Sequence, residues 1–416
     1  MNKNYIYIFF SFLLYNLSFA QALTEVTPPF NIKTATFVQN GQNVVPVFRL
    51  NDAFQFQFDD LFGNEANYYY EIAHCDYNWN PSQLVKSEYI QGFDNQLIVD
   101  YENSFNALQL YSHYRLPFPN KQTSFRVSGN YMLKILNEDR EVVFSRKFIL
   151  YEDIASVPLQ IKRSRDIKNI NFMHNLDFSI KSSNLTFINP LQSVKVMLVQ
   201  NGQLNNAITN IKPQYTLGND LIYKYDKETQ FWGGNEFLYF ENKDIRGNAN
   251  NVNYVESKEL YHSHLYINPA RANQVYTYHP DINGNFVVNN FNSQNNEIEA
   301  DYAWVFFILD APAYFGKGNI YINGMFNNYA LGEENKMDFN AKTGKYEKAL
   351  VIKQGFTNYQ YVIADKSGKI DHANAIDGNF YQTLNDYQVI VYYRGMNERY
   401  DRVIGRGMAT SENITN

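Results

Sequence analysis

Cysteine is nearly absent from this chain, since Cys75 is the only one among 416 residues. A single cysteine excludes an internal disulfide, so hydrophobic cores must hold the folded chain together. Cys75 lies between His74 and Asp76 in an aromatic stretch, a setting that favours a buried thiol over a reactive nucleophile.

Basic clusters and long apolar helices are also missing. The net charge is −6, and the chain lacks the clustered lysine and arginine that bind nucleic-acid backbones. After residue 20, no segment stays apolar over the roughly 20 residues that a transmembrane helix needs. The sequence also has no phosphate-binding glycine loop, no dinucleotide-binding fingerprint and no hydrolase nucleophile elbow. We therefore predict no nucleic-acid partner, no direct membrane span, no cofactor and no enzymatic activity.

The first twenty residues have the three parts of a secretory signal. Lys3 precedes an apolar run over residues 5–14, and the small residues Ser18 and Ala20 follow it. A basic start, a short apolar core and a small-residue exit are typical of a cleavable signal peptide. The run is too short to cross a bilayer as a helix. We expect residues 1–20 to be removed and the protein to be exported.

Aromatic residues are abundant, with 34 Tyr and 32 Phe against 3 Trp. Tyrosine and phenylalanine favour strands, and residues 54–59 alternate strictly between phenylalanine and polar side chains. Residues 129–136 and 142–150 predict a hairpin, and the continuous apolar run 305–309 predicts a strand buried on both faces. Such short strands indicate an all-β chain of tandem immunoglobulin-like, early-set β-sandwich domains.

Turn signals divide the exported part of the chain into three predicted sandwiches. The predicted units are an N-terminal sandwich over 21–152, a middle sandwich over 153–275, an asparagine-rich loop or edge hairpin over 276–299, a C-terminal sandwich over 300–395 and a polar tail over 396–416. Asparagine–glycine turns such as Asn201-Gly202 support this division because they supply positive φ cheaply.

Candidate catalytic and metal-binding groups are few. His262 and His264 would share one face of a strand and could hold zinc if a third ligand were near. No carboxylate or cysteine lies at a familiar metal-binding spacing, so surface or interface histidines are the favoured interpretation and no metal site is predicted. The acid pairs Asp59-Asp60 and Glu333-Glu334 are expected in turns, exposed to solvent.

Aromatic side chains are the stronger functional signal. Residues 111–120 combine aromatics with two prolines, which do not suit a regular central strand. Together with neighbouring segments they could form an exposed, partner-binding surface, because aromatic residues are enriched at the centres of protein interfaces. A loop folded over the end of the sandwich is the alternative. The candidate partner-binding residues are Trp79, Tyr89, Phe93, Tyr111, Tyr114 and Phe118.

The motifs of this region resemble one family. Residues 74–82, 88–93, 104–106, 113–114, 118–120 and 128–131 occur in the order of the type IX secretion system plug proteins of Bacteroidetes. The resemblance implies a periplasmic protein that binds the periplasmic mouth of the large outer-membrane β-barrel translocon. It also implies that the protein keeps the pore closed when no substrate is in transit. The family offers no catalytic residues to carry over.

A second, shorter resemblance concerns residues 320–362, which are similar to glycogen-binding early-set domains. Those domains usually present tryptophans to sugar, whereas the corresponding positions here are Tyr329 and Ile370. The resemblance therefore favours an immunoglobulin-like scaffold. A carbohydrate-binding periplasmic or surface module stays open as the alternative function, with Tyr329 as its expected contact.

Overall fold

The computed structural model describes residues 21–412 and residue 414, and the predicted signal peptide lies outside them. The chain is all-β, as predicted. Its helices are single turns, α1 (Lys86–Tyr89), α2 (Pro190–Ser193) and α3 (Asn296–Glu299), with 3₁₀ turns at Leu204–Asn206, Pro312–Tyr314 and Met325–Asn327. Within the described residues, no helix has the length and apolar character needed to cross a membrane.

The first lobe is a sandwich of two five-stranded sheets with sheet orders β2-β1-β4-β9-β8 and β3-β12-β11-β5-β7, and a β10-β6 ribbon. Its strands are β1 (Ile32–Gln39), β2 (Gln42–Asn43), β3 (Val47–Arg49), β4 (Phe54–Asp60), β5 (Tyr69–Cys75), β6 (Ile90–Gly92), β7 (Gln96–Leu97), β8 (Asp100–Asn103), β9 (Ser112–Phe118), β10 (Thr123–Phe125), β11 (Gly129–Leu136) and β12 (Val142–Tyr151). The predicted hairpin is β11–β12, paired antiparallel from Gly129 with Leu150. Phe54, Phe56 and Phe58 enter the core as predicted, but the polar residues Gln57 and Asp59 of the other face are also buried.

The second lobe contains two segments that are far apart in the sequence. Its strands are β13 (Leu159–Arg163), β14 (Met173–Ile180), β15 (Val194–Gln200), β16 (Tyr215–Leu217), β17 (Asp220–Tyr223), β18 (Gln230–Trp232), and, after the third lobe, β29 (Asp386–Tyr393) and β30 (Arg402–Thr410). β15 pairs with β29 over its whole length, and β29 pairs with β30. Leu176 and Val196 share one core with Val389 and Ile404.

The third lobe is inserted between β18 and β29. Its strands are β19 (Leu238–Glu241), β20 (Val252–Ser257), β21 (Tyr261–Leu265), β22 (Asn268–Pro269), β23 (Phe286–Val288), β24 (Tyr302–Asp310), β25 (Asn319–Asn323), β26 (Asp338–Asn340), β27 (Lys345–Lys353) and β28 (Gly355–Ala364). One sheet has the order β20-β21-β24-β27-β26 and the other β19-β28-β23, and β25 also pairs with β28. The predicted asparagine-rich segment contributes the edge strand β23.

Three predicted boundaries differ from this arrangement. β19 to β22, placed by the prediction in the middle sandwich, belong to the third lobe because β19 pairs with β28, and β21 and β22 pair in parallel with β24. β29, placed in the C-terminal sandwich, closes the second lobe. The predicted polar tail contains β30, whose Val403 and Ile404 are buried. The residue pattern of a strand does not indicate which sheet the strand joins when its pairing strand lies almost 200 residues away in the sequence, as β29 does from β15.

Candidate functional site

Five of the six predicted partner-binding aromatics are interior residues. Trp79, Tyr89, Tyr111, Tyr114 and Phe118 are each at most 9% exposed. The prediction that they form an exposed surface is therefore wrong, and substituting both Tyr114 and Phe118 by alanine would leave cavities in the core. Phe93 is 71% exposed, and it alone of the six remains a candidate contact residue.

The two prolines of residues 111–120 suggested that this segment is not a regular central strand, but most of it forms β9. β9 lies between β4 and β8, with Tyr114 stacked on Phe58 at 4.9 Å between ring centroids. Pro117 pairs with Gln55 of β4, but the pairing of β8 with β9 ends at Arg115. The missing N–H of Pro117 therefore costs no ladder hydrogen bond, because the strand has become an edge at that point.

Trp79 and Cys75 belong to the interface between the first and second lobes. They share an apolar cluster with Met132 of the first lobe and with Met197 and Tyr392 of the second. Burial raises the pKa of the Cys75 thiol to about 12, so the thiol stays protonated and unreactive near neutral pH. The predicted burial of Cys75 is confirmed.

Tyr111 anchors a loop, residues 104–110, against the third lobe. Its hydroxyl donates a hydrogen bond to the carbonyl oxygen of Ala300 at 2.8 Å and also lies 3.1 Å from the carbonyl oxygen of Glu297. The Asp301 carboxylate accepts from the backbone N–H groups of Leu108, at 2.7 Å, and Gln109, at 3.0 Å. The loop is thus pinned on its inner side while its outer side chains face solvent.

The outer side chains of this loop and its surroundings form an apolar rim at the seam between the first and third lobes. The rim consists of Phe30, Phe62, Phe105, Leu108 and Leu110, each between 53% and 69% exposed. Phe30 stacks on the partly buried Trp304 at 6.4 Å, and a Cβ placed on Gly63, next to Phe62, would lie 3.2 Å from the Leu110 Cβ. The side chains therefore lie along one seam.

The sequence-based prediction missed the rim because it selected segments in which several aromatic residues cluster. Residues 105–110 contain one phenylalanine and two leucines spaced among asparagine, alanine and glutamine. The sequence signal that could have indicated the rim is a group of apolar residues in a segment without alternating periodicity. Single exposed apolar residues are common on protein surfaces, so only their grouping distinguishes the rim.

Beneath the rim lies a buried cluster of charges. Asp59, fully buried at the end of β4, contacts Lys353 Nζ at 2.6 Å and His113 Nδ1 at 2.6 Å, and Tyr302 donates to it at 2.5 Å. Burial acts to raise the pKa of Asp59, but Lys353 and His113 outweigh it and hold that pKa below its ordinary value. Asp60 is buried too, so the prediction that this acid pair is exposed in a turn is wrong.

In the third lobe the two histidines share a strand as predicted, with a carboxylate that the sequence spacing did not indicate, whereas the expected sugar contact is buried. His262 and His264 lie on β21 as predicted, and Glu256 of the paired strand β20 lies beside them. Tyr329 is buried, and its hydroxyl donates to the Asn201 carbonyl oxygen at 3.2 Å. Because its ring is enclosed between lobes, Tyr329 does not form the sugar platform expected from the second resemblance.

A family model and a solved structure are similar to this chain. A family model described as the type 9 secretion system plug protein 1st domain matches residues 32–152, the extent of the first lobe. The crystal structure of a hypothetical protein from Parabacteroides merdae ATCC 43184 is similar with a TM-score of 0.89 and 31% identity, covering 94% of this chain and 100% of that chain. No curated protein matches the chain. The first lobe is a domain of the type 9 secretion system plug protein family, and this match supports involvement of the chain in type IX secretion.

Proposed function

We propose that the protein is a non-enzymatic periplasmic plug of the type IX secretion system. It binds the periplasmic mouth of the outer-membrane translocon barrel and seals the pore when no substrate is in transit. The family match of the first lobe carries this proposal. The predicted signal peptide is consistent with a periplasmic location.

The joined lobes support a plugging role, because a body that blocks a wide pore must keep its shape. The first lobe meets the second through the apolar cluster around Trp79 and Met197. It meets the third through the buried Asp59–Lys353 pair. Both interfaces consist of buried side chains, so the three lobes pack together as one unit.

The apolar rim is the surface we propose for binding the translocon. A grouped exposed apolar patch marks a protein-interaction site, and phenylalanine is enriched at interfaces. The rim is held from below by Tyr111 and Asp301. A prepositioned loop loses little conformational entropy on binding. Phe93 is a further candidate contact residue because its side chain is exposed.

Co-purification tests this function. Tagged mature protein is incubated with detergent-solubilised native outer membranes, and the captured proteins are identified and quantified. We expect one very large outer-membrane barrel in about equal amount. Substituting Phe105 and Leu110 by serine should weaken this binding by about 10- to 100-fold.

The matched control replaces Ile167 and Leu217 by serine. These residues are 88% and 70% exposed on the second lobe, so the control changes equally exposed apolar groups away from the rim. Wild-type-like capture by both variants would contradict the rim as the contact surface. Absence of any barrel with the wild-type protein would contradict plugging itself.

A further inference from the structure

The third lobe contains an unassigned cluster of potential metal ligands. β20 and β21 pair antiparallel, with Glu256 opposite His262 and Tyr254 opposite His264. Residues two apart on a strand share a face, so both imidazoles lie on the side of the Glu256 carboxylate. The three ligand atoms all lie within 4.8 Å of one another.

Two imidazole nitrogens in this cluster lack a partner among the described residues. His264 Nε2 is 3.6 Å and His262 Nδ1 is 3.9 Å from Glu256 Oε2, distances too long for hydrogen bonds. Both nitrogens are shielded from solvent and have no hydrogen-bond partner. A buried polar atom without a partner costs free energy, and a bound cation would remove that cost.

Stacking fixes the histidine rings in place. The His264 ring lies between Tyr254, at 4.2 Å, and Phe306, at 4.4 Å, and is nearly parallel to both. Phe306 also contacts the His262 ring at 5.1 Å. Ligands held by their surroundings need little reorganisation when a metal binds.

The spacing suits a small tetrahedral ion. Zinc binds histidine nitrogen and carboxylate oxygen at about 2.0–2.2 Å, so two ligands of a tetrahedral site lie about 3.4 Å apart. The two distances from Glu256 to the histidines need to shorten by about 0.2–0.5 Å, and the histidine ligand atoms, which lie within 4.8 Å of each other, must also approach. We propose that Glu256, His262 and His264 form a Zn²⁺ site, with the fourth coordination position open to solvent.

A neighbouring lysine competes for the carboxylate. Lys258 Nζ lies 2.7 Å from Glu256 Oε2, so Zn²⁺ binding displaces this ammonium group. Removing the lysine charge should therefore strengthen the binding of the metal. A substitution of Lys258 is therefore expected to raise the affinity for Zn²⁺. Misfolding would lower this affinity, so it cannot explain such a gain.

Metal titration of the untagged mature protein tests the site. Zn²⁺ binding is followed by calorimetry and by competition with a chromophoric chelator, with Ca²⁺ as the negative control because it prefers oxygen ligands. We expect one equivalent of Zn²⁺ per chain and no Ca²⁺ uptake. His264→Gln should lower the affinity by at least about 100-fold, given that losing even an outer-shell partner costs 10- to 100-fold.

Two further variants keep the result interpretable. Lys258→Met should raise the Zn²⁺ affinity by about two- to fivefold, the factor that an exposed ion pair is worth. His279→Ala, which changes an exposed histidine elsewhere, should leave the affinity unchanged. Equal Zn²⁺ binding by wild type and His264→Gln, weaker binding by Lys258→Met, or no stoichiometric binding by the wild type would each overturn the proposal.

Discussion

The first lobe contacts its two neighbours through interfaces of opposite character. Its interface with the second lobe centres on an apolar cluster that contains Trp79, Met197 and Tyr392, with the Glu152–Arg402 ion pair as a polar addition. Its interface with the third lobe is organised by charge, with Asp59 and Lys353 almost completely buried. Removing one side chain from an apolar interface leaves no charge behind. Removing one partner of a buried ion pair leaves the other charge buried without compensation.

The largest expected effect comes from breaking the buried pair on one side. Lys353→Met should destabilise the protein by about 3–5 kcal/mol, because Asp59 keeps a buried charge without its strongest partner. Urea unfolding followed by tyrosine fluorescence measures the change. Limited proteolysis should show the first and third lobes separating first.

The matched control removes both charges. Asp59→Asn combined with Lys353→Met should recover at least half of the lost stability, since replacing a buried pair as a whole is close to neutral. If the double variant is no more stable than Lys353→Met, the cost comes from packing and the comparison of the two interfaces fails.

The apolar interface should respond as a core does. Met197→Ala removes a side chain that is 3% exposed and should cost about 3 kcal/mol through lost burial and a residual cavity. Met197→Leu, which keeps the volume, should cost less than about 1.5 kcal/mol. Thermal unfolding of both variants measures the difference, and equal losses would contradict dense packing at this interface.

Acid should weaken the apolar interface before the charged one. His74, which contacts Tyr400 of the second lobe, is buried, and burial lowers its pKa to about 4. The unfolded chain therefore binds a proton near pH 6.5 that the folded chain does not, so stability falls between pH 6.5 and 4, by about 3 kcal/mol in full. Asp59 has a lowered pKa, so its contribution is lost only below its unfolded value of about 3.8.

His74→Gln separates these two contributions. Urea midpoints measured from pH 7 to pH 4.5 should fall less steeply in the variant than in the wild type. The remaining slope includes His174, whose pKa burial also lowers to about 4. Identical slopes would show that His74 does not titrate in this range.

The smallest effect on stability is expected at the apolar rim. Serine at Phe105 and Leu110 should change the free energy of unfolding by less than about 0.5 kcal/mol each, because both side chains are largely exposed. The same variant should lose affinity for the translocon. A large loss of stability would mean that the rim supports the seam between lobes and is not a free surface.

The apolar parts of the molecule could be predicted from sequence better than the charged parts. Residues 196–199 are apolar on both faces, and the structure uses one face for the second-lobe core and the other, with Met197 and Val199, for the interface. Asp59 belongs to the polar face of an alternating strand, a pattern that normally indicates solvent. Asp59 becomes buried because the third lobe packs over it. The local sequence around Asp59 does not indicate this long-range contact.

The same limit explains the binding surface and the lobe boundaries. The tyrosines and phenylalanines of β9 resembled a binding surface, but their alternation matched a core strand once the partner strands were known. The insertion of the third lobe depends on the pairing of β15 with β29. Glu256 joins His262 and His264 only through cross-strand pairing, so its part in a metal site was not visible in the residue spacing.

Conductance through the purified translocon tests plugging most directly. The outer-membrane barrel is reconstituted in a planar bilayer, and the mature protein is added to its periplasmic side. Plugging predicts that the wild-type protein abolishes the current and that the Phe105→Ser, Leu110→Ser variant, folded but lacking its rim contacts, leaves most of it. An unchanged current with saturating wild-type protein would contradict the proposal that this protein closes the pore.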